Sequence, residues 1–131
     1  MLTKKEDASE FEKLEQQLHS FLAEIAELSR KKPNDPVNRF KLKFINATLD
    51  KMNTLLADMR PFGDFQQFDV DEIPSNSDVV VILSQYAASM YRFRLGHTEF
   101  GIRDRRWYWI VRGKVSDIST KSPGDSKYHP K

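Results

Sequence analysis

The sequence predicts a mainly α protein: a helical bundle built on a long antiparallel αα-hairpin plus a third helix, with a small C-terminal β-hairpin. Three observations predict it. Two long segments repeat apolar residues at alternating spacings of three and four. A third segment opens on a helix-start signal and keeps a helical apolar arc. Only after Gly96 does the pattern change to a β-branched and aromatic run.

The first helix is expected over residues 4–30. Phe11, Leu14, Leu18, Phe21, Ile25 and Leu28 form a heptad-like seam, widened by Leu22. Thr3 is placed to cap it, with Glu6 three residues on. Acidic residues crowd its first turns and Arg30, Lys31 and Lys32 close it, which suits the helix dipole. In the link "KKPNDP", Asn34 or Asp35 is the expected cap of a second helix and Pro36 its first turn. Leu42, Ile45, Leu49, Met52, Leu56 and Met59 repeat the seam. Val37, Phe40, Phe44 and Ala47 form a second stripe beside it, so this helix is expected to touch more than one neighbour. Arg60 before Pro61 marks its end. Matched lengths and a short link imply the hairpin. The seams suit an in-chain core; a part of them left over would mate with another chain, as a homodimer or larger assembly.

The connection from Pro61 to Pro74 carries Phe62, Phe65 and Phe68, and is expected to pack down over the helices. Its acids, Asp64, Asp69, Asp71 and Glu72, lack the spacing of a calcium loop and read as solvated side chains. Ser75 and Asp78 make a capping box for a third helix over about residues 76–95. Residues 79–83, "VVVIL", have strand propensity, but the cap and the spacing of Val79, Ile82, Leu83, Tyr86, Met90 and Phe93 favour helix. Two strands are then expected at about 105–111 and 114–119, turning at Gly113. Residues 1–119 read as one helical domain with its hairpin, and 120–131, rich in Ser, Pro, Lys and Gly, as a flexible tail.

Composition narrows the function classes. The net charge is only +2, but residues 1–30 hold four Lys/Arg against seven Asp/Glu, and residues 92–131 ten against four. The aromatic-rich end is therefore the basic one. Absence of cysteine excludes disulfides, thiolate metal sites and a Cys nucleophile. With no secretory leader pattern and no membrane-length apolar run, a cytoplasmic setting is expected. No cofactor motif and no metal-ligand spacing is apparent.

The stretch "RDRRWYWIVRGK" carries the main functional expectation. Arg103, Arg105, Arg106, Arg112 and Lys114 surround Trp107, Tyr108 and Trp109. Trp107, Trp109 and Val111 would share one face and Tyr108 and Ile110 the other, so both faces are apolar. Either the tryptophans anchor the hairpin on the helices, or one face meets a partner. The expected role is a non-catalytic interaction or assembly protein whose basic-aromatic end contacts a partner, either protein or nucleic acid. The alternative is nucleic acid along residues 92–114, with Arg92 and Arg94 joining one positive surface and aromatic rings stacking on bases.

One catalytic alternative remains. In "RFRLGH", Arg92 and His97 stand with four residues between them. That spacing resembles the R-x4-H signature of HEPN-type ribonucleases. The resemblance implies metal-independent RNA cleavage, with His97 as general acid or base and Arg92 stabilising the phosphorane. The residue after the family's Arg is typically polar; here it is Phe93, and Gly96 is expected to break the helix before His97.

Overall fold

The computed structural model describes residues 2–128. Three helices, α1 (Lys5–Lys31), α2 (Arg39–Leu56) and α3 (Asn76–Gly96), precede three strands, β1 (Thr98–Gly101), β2 (Arg106–Val111) and β3 (Lys114–Thr120). Short 3-10 turns follow α2 at Ala57–Met59 and β3 at Pro123–Ser126. The protein is mainly helical, with a small antiparallel sheet of order β1-β2-β3 at its C-terminal end. No helix among the described residues is long and apolar enough to cross a membrane.

The first helix starts one residue later than expected, and its cap differs. Asp7, not Glu6, reaches back, accepting from the backbone N–H groups of Thr3 and Lys4 at 3.0 and 2.9 Å. These bonds hold its carboxyl below the usual range. Phe11, Leu14, Leu18, Leu22 and Ile25 are buried, whereas Phe21 is only partly so and Leu28 is exposed. A straight helix of 3.6 residues per turn drifts off a 3.5-residue seam, which is why Leu22 displaces Phe21.

The second helix begins later still, at Arg39 after an Asn38 cap whose side chain accepts from the Lys41 N–H. The residues expected to start it are used elsewhere. The Val37 N–H donates to the Pro74 carbonyl, and Asp35 and Pro33 carbonyls accept from Asn76 and Ser77. That stitching ties the first link to the start of α3. The helix ends at Leu56 rather than Arg60, because Ala57 adopts φ 50°, a left-handed stop. Leu42, Ile45, Leu49, Met52 and Leu56 are buried as the seam required. The helix meets both α1 and α3, as expected, but of the second stripe only Val37 is covered; Phe40, Phe44 and Ala47 are exposed among the described residues.

The aromatic connection packs down as its composition predicts. Asn46 clamps Phe68 by donating to its carbonyl at 3.0 Å and accepting from its N–H at 2.9 Å. One heptad on, Asn53 donates to the Gln66 carbonyl and accepts from the Tyr86 hydroxyl at 2.6 Å. Two buried amides thus satisfy a loop that brings few backbone partners of its own.

Residues 79–83 are helical, and α3 runs through Gly96 without a break. It packs on α1 more widely than α2 does. Phe11 stacks on Phe93 at 5.2 Å, and Asn76 donates to the Lys32 carbonyl, so the two helices meet in opposite senses. The sheet has one strand more than expected. β1 is short and follows a helix end directly, so no alternation of its own announces it; it forms because β2 offers a free edge. Residues 121–128, read as tail from composition, lie along the core with Pro123 and Ser126 buried and Tyr128 against His19. His129 to Lys131 fall outside the described residues.

Candidate interaction surface

The two tryptophans separate. Trp109 is fully buried, edge-on to Phe11 at 5.0 Å, and donates its indole N–H to Glu12 at 3.0 Å. It anchors the sheet to the helices and leaves the partner-facing set. Register explains the split. Trp109 pairs with Thr98, also buried, while Trp107 pairs with Phe100 two residues outward on the same ribbon. Beyond the helices that face stays open. Phe100 is 43% exposed and its ring lies 5.5 Å from that of Trp107.

The β1–β2 turn holds this outer end in shape. Arg105 sits at φ 58° and donates its N–H to the Gly101 carbonyl at 2.8 Å. Asp104 accepts from the Arg106 N–H at 3.2 Å and from the Tyr108 hydroxyl. The Tyr108 bond keeps the Asp104 carboxyl low and raises the phenol. Gly101 leaves the turn room: a β-carbon would stand 3.0 Å from both the Asp104 carboxylate and the Tyr108 ring, which would have to give by a few tenths of an ångström. Arg103, Arg105 and Arg106 are exposed, and none of the three takes part in an ion pair among the described residues. Ile102, at the start of the same turn, is 85% exposed.

Arg112 and Lys114 do not join that group. They lie past the other end of β2, about 20 Å away at some 3.4 Å per residue. Arg112 and Gly113 both have positive φ, the signature of a two-residue hairpin turn. The Arg112 backbone N–H donates to Leu2 and its guanidinium to the Thr3 carbonyl at 2.7 Å. It ties Leu2 and Thr3 down, and Lys114 lies exposed at that end beside a cleft it shares with Lys4, Lys5 and Glu6.

Arg94 is a clear correction. It is not on a positive surface but wholly buried, donating to both carboxyl oxygens of Glu15 at 2.9 and 3.4 Å and to the Thr120 hydroxyl at 2.6 Å. Thr120 in turn donates to Glu12, and Lys121 reaches Glu15 at 3.4 Å. This network lines a cleft of about 520 Å³ and locks α1, α3 and β3 together. A signal was present: Glu12, Glu15 and Arg94 each adjoin a core aromatic or Leu, so pairing the helices buries opposite charges side by side. Within the network His19 Nε2 is buried with no hydrogen-bond partner among the described residues, and burial lowers that ring's pKa despite the nearby Glu15.

Arg92 and His97 make separate contacts. Five residues along a helix is a turn of about 500°, which sets the two roughly 140° apart around the axis. Arg92 is exposed and donates to the Ser89 hydroxyl at 3.1 Å. The His97 ring stacks on Phe93 at 3.9 Å, and its Nδ1 donates to the Phe93 carbonyl at 2.8 Å. Burial lowers its pKa, so the free Nε2 is a neutral acceptor near pH 7. The described residues contain no cluster of three or more metal-ligating side chains. Compared with known proteins, the chain matches no family model, no curated protein and no solved structure.

Proposed function

We propose that this protein is a non-catalytic interaction or assembly module whose partner docks on the β1–β2 end of the sheet. One observation carries the reading. Exposed Phe100 beside half-buried Trp107, together with exposed Ile102, shares this end with three arginines that have no ion-pair partner among the described residues. Apolar area beside Arg and Trp is the composition of interface hot spots. The bundle behind it is read as an antiparallel α1–α2 hairpin with α3 laid against α1, supported by the contacts Lys41–Glu24 and Thr48–Gln17. The seams themselves are filled by side chains of the same chain, which moves the partner surface away from them. Cross-linking followed by mass spectrometry tests the proposal. Partner cross-links are expected at residues 99–107 and lost in the Arg105→Glu/Arg106→Glu variant; a partner retained unchanged by that variant contradicts it.

A single-stranded nucleic acid is the second reading, favoured by the same side chains. Trp107 and Phe100 present aromatic faces, and the unpaired guanidiniums suit phosphates. Anisotropy of labelled RNA and DNA at two salt concentrations separates the two. Binding that weakens steeply with salt supports nucleic acid; no binding at low salt leaves a protein partner.

A further inference from the structure

We propose a second docking surface: the stripe Phe40, Phe44 and Ala47 on α2, shaped for an acidic amphipathic helix of a partner protein. Phe40 is 69% and Phe44 49% exposed, although every seam residue of α2 from Leu42 to Leu56 is buried. Their rings meet edge to face at 5.0 Å, so the two side chains already form one ridge and lose little freedom on binding. The positions i, i+4 and i+7 lie in line along one face, the geometry that accepts a second helix laid alongside.

Charge decides the occupant. Arg39 and Lys43 border the stripe and Lys51 continues it one turn past Ala47; all three are exposed and belong to no ion pair among the described residues. On the far flank Lys41 is already taken by Glu24 at 3.1 Å. The first turn of α2 holds no acidic residue, and the Asp50 carboxylate accepts from the Gln66 amide. Lys51 shares a cleft with Asp7, Glu10 and Asp50, so it is the Arg39–Lys43 end of the stripe that asks for carboxylates from outside. The surface lies on α2, apart from the β1–β2 end, and stands whether or not that end binds.

The probe is a fluorescein-labelled peptide of ~18 residues, five helical turns, with Leu at helix-seam spacing and Glu on both flanks. Its control carries Lys for Glu. The full chain is expected to bind the Glu peptide at least about tenfold more tightly than the Lys peptide, a gap of about 1.4 kcal/mol. Phe44→Ser should weaken binding about tenfold with an unchanged melting temperature, because the ring is exposed. Arg39→Glu with Lys43→Glu should reverse the preference, which a general loss of fold cannot do. Equal affinity for both peptides, or none for either, overturns the proposal. So does Phe44-dependent sedimentation with phosphatidylserine vesicles, which would make the stripe a membrane contact, or a dimer abolished by Phe44→Ser.

Discussion

Trp107 and Trp109 are two residues apart in sequence and carry different duties. Trp109 fills the junction of α1, α3 and the sheet, so Trp109→Ala should cost about 3–5 kcal/mol by urea unfolding. Trp107→Ala should cost clearly less and act on partner binding; equal losses would mean that both rings are core. The Glu15–Arg94 pair is the second decisive contact. Removing one partner leaves a buried uncompensated charge, so Arg94→Met should lose about 3–5 kcal/mol. The double variant Glu15→Leu/Arg94→Met should recover much of that, and a double variant no better than the single would show the network, not the charge, to be essential. Gly101 belongs at this scale too. Gly101→Ala is expected to disturb the β1–β2 turn, lowering the melting temperature and partner affinity together. Residue identity alone did not reveal these roles. The composition of "RWYW" is the same whichever ring is buried; the register against Thr98 and Phe100 decides it.

At the scale of elements, what was legible followed strong periodicity. The three helices lie where apolar spacing and the Ser75–Asp78 capping box placed them. Their ends moved for reasons that lie far off in sequence. Residues 33–37 pair with residues 74–77 across a gap of some forty positions, and no local pattern at "PNDP" announces that bond set. β1 was missed because four residues after a helix carry no alternation, and a partner strand supplies what they lack. Conversely, exposed Phe40 and Phe44 were legible as a stripe, and only the absence of a neighbour marks them as a surface.

For the whole molecule, the uneven charge of the chain maps onto the fold in a way that composition only half foretells. The basic surplus divides. Arg94 is internal, Arg112 holds the N-terminus, and Arg103, Arg105 and Arg106 gather at one turn. Titration of the half-buried His19 and His97 rings makes stability pH-dependent. His19 and His97 have folded pKa values below the ordinary value of about 6.5. Above that value both rings are neutral in either state. As the pH falls below it, the unfolded chain takes up protons that the folded chain refuses, so stability declines. Thermal melting between about pH 7.5 and 5.5 should show the decline, and His97→Gln should reduce it; a flat profile would mean that neither ring resists protonation.

A partner seated on the β1–β2 end, as proposed, would shield that turn from solvent. Hydrogen exchange of the full chain, alone and with its cross-linked partner, tests it most directly. Slowed exchange confined to residues 99–107, with β3 and the helices unchanged, is the predicted result. Protection elsewhere, with that turn still exchanging freely, would place the partner on another surface.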